Sequence, residues 1–92
     1  MKITATIKRI KPVQKVGTND FKFQEIHVTT EEQYSQTLAV QFTQDKTELL
    51  ANFKEGDKVT IDINLRGREF TKEDGDVTVF NTINGWKIEK AV

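Results

Sequence analysis

The stretch NLRGREF places Arg66, Arg68 and Phe70 at the end of an apolar-polar alternation, with Gly67 between the two arginines. Alternate residues of a strand share a face, so the two guanidinium groups and the ring point the same way. Guanidinium groups bond phosphate bidentately and stack on bases, and an aromatic ring is a platform for an unpaired base. The plain alternative is an ion pair from Arg68 to Asp62 or to a carboxylate near Glu69. FKFQEIHVTT raises the same question with Phe21 and Phe23, which alternate against Ile26 and Val28. If the aliphatic pair is buried, the rings face out, and they then either mark a partner surface or cover one end of a barrel. Lys22 and Lys15 add cations nearby. Trp86 shares the parity of Ile88 and is expected to plug the interior, with a groove-lining role as the alternative, and Phe80 is open in the same way. Phe42, Phe53 and Tyr34 are assigned to the core or its margins.

Little else in the chain could do chemistry. There is no cysteine, so disulfides, thiolate catalysis and cysteine-ligated metals are excluded. His27 is the sole histidine and Ser35 the sole serine, with no nucleophile-elbow context around it. No glycine-rich phosphate loop occurs, and KEDGD lacks the twelve-residue pattern of a calcium loop. The expectation is a protein that is not an enzyme and carries neither cofactor nor metal.

The elements that must position these side chains are mostly strands. KITATIKRI alternates Ile3, Ala5 and Ile7 against polar residues, and the pattern slips near Lys11 and Pro12, which predicts one long strand that bends or bulges there. VGTND supplies a turn around Gly17, Asn19 and Asp20. FKFQEIHVTT and TLAVQF read as the second and third strands. QDKTELLANFKEG reads as the one helix, with Asp45 as N-cap, Glu48 as its capping-box partner and Gly56 as terminator. KVTIDINL predicts a strand that buries Val59, Ile61, Ile63 and Leu65 and exposes Thr60, Asp62 and Asn64. After a turn at Asp74 and Gly75, VTVFNTINGWKIE is the last strand, bulged at Asn84 and Gly85.

The order is β-β-β-α-β-β in a single domain spanning residues 1–92, all-β apart from one short helix. A long bent first strand, one helix before strand four and a last strand able to return to the first are what a five-stranded OB-fold Greek-key barrel requires.

Fourteen basic and fourteen acidic side chains cancel over 92 residues. Their distribution is uneven: residues 1–22 carry Lys2, Lys8, Arg9, Lys11, Lys15 and Lys22 against Asp20 alone, while residues 23–57 are strongly acidic. Segregation of this kind gives either one basic and one acidic face or an ordinary solvated surface. The apolar runs are too short to span a membrane and no signal peptide is evident, so a soluble cytoplasmic protein, bacterial or made in a phage-infected cell, is expected.

Three segments, FKFQEIHVTT, KEGDKVTIDINLRGREF and FNTINGWKIE, resemble in order and spacing a little-characterised bacterial family of short OB-fold domains related to single-stranded DNA-binding proteins. The residues that carry the resemblance are Phe21, Lys22, Gln24 and Glu25; Glu55, Gly56 and Asp57; Arg68, Glu69 and Phe70; and Phe80 with Trp86, Lys87 and Ile88. It implies an OB barrel that binds single-stranded DNA, or RNA, with little regard for sequence, in bacterial or phage replication, recombination or repair. The expected binding residues are Phe21, Lys22, Phe23, Arg66, Arg68, Phe70, Lys15 and Trp86. One small barrel covers only a short stretch of strand, so tight binding calls for a homo-oligomer. The rival expectation is an OB module for protein-protein assembly, using Phe21, Phe23 and the acidic middle segment in place of nucleic acid.

Overall fold

The computed structural model describes residues 1–17 and 21–91. Six strands and one helix follow in the order β1 Lys2–Ile10, β2 Gln14–Val16, β3 Phe21–Thr30, β4 Thr37–Thr43, a 3₁₀ helix Gln44–Asn52, β5 Lys58–Thr71 and β6 Val77–Lys90. The predicted long first strand is β1 and β2 together, interrupted at Lys11–Val13 where Pro12 cannot donate to a ladder; both halves pair with β3. A register shift between Ile7 and Arg9 leaves Lys8 unopposed, adding a bulge just before the predicted bend. Gly17 has φ +75, in keeping with the predicted turn, whereas Asn19 and Asp20 lie outside the described residues.

The strands close on themselves. The sheet order is β1-β5-β6-β4-β3-β2, and β1 also pairs with β3. β1 does double duty because it bends: Lys2–Thr6 pair with β5 while Ala5–Ile10 pair with β3. The other closure is a short parallel contact between β4 and β6, with Val40 opposite Ile83 and Gln41 opposite Asn84. This is the five-stranded barrel of the OB fold, with β2 as an extension on β3. Alternation places Ala5, Ile7, Ile26, Val28, Val40, Phe42, Val59 and Ile61 inside, essentially inaccessible to solvent.

The helix departs from expectation. It is 3₁₀ rather than α, it follows Thr43 with no side-chain cap, and Asp45 sits inside its first turn. Its inward residues explain the geometry: Thr47, Leu50 and Phe53 recur every third position, the period of a 3₁₀ turn, and Leu49 is left exposed. Gly56 is needed for another reason: it has φ +93, and its N–H donates to the Ile7 carbonyl at 2.8 Å, tying the segment after the helix to β1.

Three burial expectations are overturned. Asp62 is buried although it points away from the core, because Lys2 of β1 and Lys87 of β6 pair directly opposite it; Lys2 Nζ lies 4.0 Å from its carboxylate. Leu65 is 65% exposed, since β5 has left the barrel by that point and the alternation continues with nothing to pack on. Tyr34 is 77% exposed, in a connection held by hydrogen bonds from the Gln36 amide to Thr30 and from the Gln36 side chain to the Tyr34 carbonyl.

Trp86 likewise does not plug the barrel. The bulge in β6 falls one residue later than predicted: Gly85 opposes Ile63 and Lys87 opposes Asp62, so Trp86 is the extra residue. The parity it would share with Ile88 is therefore broken, and Trp86 faces solvent. The interior position belongs to Gly85, where a Cβ would collide with the ring of Phe42. That close approach is why glycine follows Asn84 in mid-strand.

Candidate functional site

β5 and β6 pair continuously out to Thr71 and Val77, beyond the last contact of β6 with β4. A strand rises about 3.3 Å per residue, so this arm reaches roughly 20 Å from the barrel. A turn closes it: the Lys72 N–H donates to the Asp76 carbonyl at 2.8 Å, the Gly75 N–H donates to the Lys72 carbonyl at 2.9 Å, and Gly75 takes φ +89. Asp74 Oδ1 accepts from the Asp76 N–H, completing the turn anticipated from Asp74 and Gly75.

The alternation gives the arm two unlike faces. One carries Arg66, Arg68 and Phe70 from β5 and Phe80 and Thr82 from β6, with Arg68 directly opposite Phe80. The other carries Leu65 and Glu69 with Val77 and Val79. Two cavities lie where the arm meets the barrel wall made by β3 and β4, one against the first face and the other bordered also by Leu65, Asn81 and Ile83 of the second face. One, about 670 Å³, is lined by Phe21, Arg66, Arg68, Phe70 and Phe80 over a floor of Gln41, Thr43 and Asn84. The other, about 740 Å³, sits where β4 and β6 diverge and is lined by Glu25, Thr37, Leu38, Asn81 and Ile83 among others. They share Gln41, Arg66, Gly67 and Thr82, and so form one furrow. At Gly67 the furrow wall is bare backbone.

Of the eight predicted residues, the structure brings four together in the ring-lined half: Phe21, Arg66, Arg68 and Phe70. Neither arginine makes an ion pair among the described residues, and Asp62, the suggested partner of Arg68, faces Lys2 instead. Phe70 is 58% exposed and Phe21 37%. Phe23 shares the face of Phe21 but is half-buried between Gln14 and Thr43, and it lines neither cavity. Lys22 alternates to the opposite face of β3, where it directly opposes Lys15 of β2. Like charges held opposite each other are unfavourable, and an anion between them would relieve the repulsion. Trp86 stands on the exposed bulge and also lines neither cavity.

Phe80 belongs with the four although it was left open in the sequence. It is 58% exposed, and its placement follows from the cross-strand register with Arg68, which no single segment reveals. Gln41, Thr43 and Asn84 were also missed, being ordinary polar positions until β4 and β6 are known to be neighbours. Asn84 Oδ1 is buried with no hydrogen-bond partner among the described residues, an unusual state for a buried acceptor.

Beside the furrow a polar chain runs across β1 and β3. Arg9 donates to His27 Nδ1 at 2.9 Å, which fixes the ring proton on Nε2, and Nε2–H donates to Glu25 Oε2 at 2.6 Å. Lys11 Nζ approaches the same oxygen at 3.9 Å. Part of the basic excess of the N-terminal segment is therefore balanced locally, as is part of the acidic middle, where Lys58 pairs with Glu31 at 3.1 Å. Among the described residues no group of three or more acidic, histidine or cysteine side chains is placed to hold a metal ion, and no helix is long and apolar enough to cross a membrane.

Residues 2–89 match the family described as Domain of unknown function (DUF3127), and the chain belongs to that family. No curated protein matches it in sequence. Among solved structures it is similar to the mitochondrial single-stranded DNA binding protein Rim1 of S. cerevisiae: 12% identity, 98% of this chain and 91% of that one covered, TM-score 0.69. A selenomethionine-labelled structure of the same yeast protein superposes with TM-score 0.70 at the same identity and coverage. At that identity the likeness is one of fold, and it extends over nearly the whole chain, as expected from the resemblance noted in the sequence.

Proposed function

We propose that the furrow binds single-stranded DNA, by stacking bases on Phe21, Phe70 and Phe80 and engaging phosphates with Arg66 and Arg68. The observation that carries this reading is the convergence on one open cavity of three exposed rings and two arginines that make no ion pair among the described residues. The overall fold is that of a yeast protein named for binding single-stranded DNA, which supports the reading at the level of architecture. With zero formal net charge, long-range attraction to the polymer is weak, and stacking carries more of the affinity than in a basic binder. Stacking is sequence-tolerant because every base has a ring face. RNA is a second ligand on the same logic, since neither stacking nor phosphate contacts exclude a ribose. Replication, recombination or repair in a bacterium or its phage is the proposed setting.

The other face of the arm supports self-association as part of the proposal. Val77 and Val79 are half or more exposed, line neither cavity and offer neither rings nor cations to a nucleic acid. A second copy would cover them and lengthen the strand bound. An assembly module that binds only protein is the competing reading, and this same aliphatic strip is the feature that favours it.

Titration of fluorescently labelled oligo-dT at low and moderate salt separates the two. Saturable binding at micromolar protein that weakens with salt is expected. Absence of binding at low salt would remove the nucleic-acid reading.

A further inference from the structure

The two halves of the furrow differ in chemistry. Rings and arginines crowd one half, while the other, between Glu25, Thr37 and Asn81, has no ring at all. A base lying there finds no ring among the described residues, only the shared Arg66 at the margin, so its edge is what this half can read. Glu25 lines this cavity and its carboxylate is held in place: Oε2 accepts from His27 Nε2–H, whose ring is fixed in turn by Arg9, and lies 3.9 Å from Lys11 Nζ, while Oε1 takes no hydrogen bond among the described residues. In the ring-lined half, Asn84 Oδ1 is another acceptor without a partner among the described residues. A carboxylate repels phosphate, so what it can recognise on a nucleic acid is a donor on a base. Exocyclic amino groups are such donors, and acidic side chains accept from cytosine N4 in this way. Thymine and uracil present a carbonyl oxygen at the same position, which would face Oε1 with like partial charge.

We infer that the ringless half of the furrow favours a base with an exocyclic amino group, cytosine over uracil or thymine among the pyrimidines, with Glu25 Oε1 accepting from that group. This rests on the single-strand reading above and adds a modest base preference to otherwise sequence-tolerant binding. One neutral-to-charged hydrogen bond gained and one repulsion avoided correspond to roughly a two- to tenfold preference.

The test is a competition between oligo-dC and oligo-dU of about 12 nucleotides, within the site size of a single OB barrel, at neutral pH and fixed salt. Uracil is used because it lacks the thymine methyl. The wild-type protein should bind oligo-dC about two- to tenfold more tightly. Glu25→Gln should bring the ratio close to one, because an amide can donate to the uracil carbonyl as readily as it accepts from cytosine. An oligomer of pyrimidin-2-one, which is cytosine without its amino group and lacks the uracil carbonyl at that position, should bind wild type more weakly than oligo-dC and at least as well as oligo-dU; this arm needs no variant and stands even if Glu25→Gln fails to fold. Equal affinity of wild type for dC and dU, or a ratio unchanged in folded Glu25→Gln, overturns the preference while leaving single-strand binding in place. Absence of binding to all three oligomers overturns both.

Discussion

One strand has two fates. From Lys58 to Ile63, β5 is a wall of the barrel, with Val59, Ile61 and Ile63 buried and even outward-facing Asp62 covered; from Asn64 to Thr71 every residue is exposed. The sequence alternates without interruption across the boundary. What changes is the number of neighbours. The first half is hydrogen-bonded to β1 on one side and β6 on the other, and the second half to β6 alone. Alternation therefore reports which residues share a face, while burial requires a second layer. The barrel half converts its apolar face into stability, and the arm leaves both of its faces available for contact with something else.

Substitutions in the two halves should accordingly separate folding from binding. The largest effect is expected from Phe42→Ala, which empties the barrel centre beneath Gly85 and should cost about 3–5 kcal/mol in denaturant unfolding. In the arm, Phe80→Ala should leave stability within about 0.5 kcal/mol of wild type. The same change should weaken oligo-dT binding by about 1–3 kcal/mol. A Phe80→Ala protein that binds normally would dissociate the arm from the proposed site. Next, Arg66→Gln and Arg68→Gln should each lower the slope of log affinity against log salt by about 1, with the melting temperature unchanged. On the aliphatic face, Val79→Lys should reduce the mass seen in sedimentation without altering the circular dichroism spectrum; an unchanged mass would mean that this face does not mediate self-association.

The smallest effect belongs to the barrel's outer surface. Lys87 donates to Glu89 at 3.0 Å, and that hydrogen bond holds the Glu89 carboxyl below its ordinary range and raises the Lys87 ammonium above its own. For Glu89 the stabilisation is present above the unfolded-state value and lost as pH falls through the lower folded one. For Lys87 it is present below the ordinary lysine value and lost as pH rises through the higher folded one. Because the pair is fully solvated, Glu89→Gln should leave the melting temperature at neutral pH unchanged within error.

Much of this architecture was legible in local pattern. Strand boundaries followed from alternation in FKFQEIHVTT and TLAVQF, and the break at Pro12 followed from its missing donor. That Phe21, Arg66, Arg68 and Phe70 would be candidates was readable because ring and guanidinium chemistry is visible residue by residue, and the four line one cavity. The misses share a cause in contacts between distant segments. Leu65 carried the right pattern without a second layer to bury it. Trp86 changed sides because a one-residue bulge reset the parity of β6, and only the ring of Phe42 explains why Gly85 took the interior position. Lys22 and Phe21 are adjacent in sequence and were grouped on that account, yet adjacent strand residues point to opposite faces. The placement of Phe80 at the cavity needed the β5–β6 register, and that of Asn84 the parallel contact with β4.

The arm has a further property that follows from its pleat. Beyond Arg68 and Phe80 its backbone pairs only within itself among the described residues, so its length can vary without breaking a ladder of the barrel. Adding two residues to each arm strand would carry the tip outward and keep every side chain on its present side. Adding one to each would turn the residues beyond the insertion over, presenting valines to the ligand and the outermost ring to the solvent. Length change in such a finger is quantised, and natural variants that keep the same face toward the furrow should differ in paired steps.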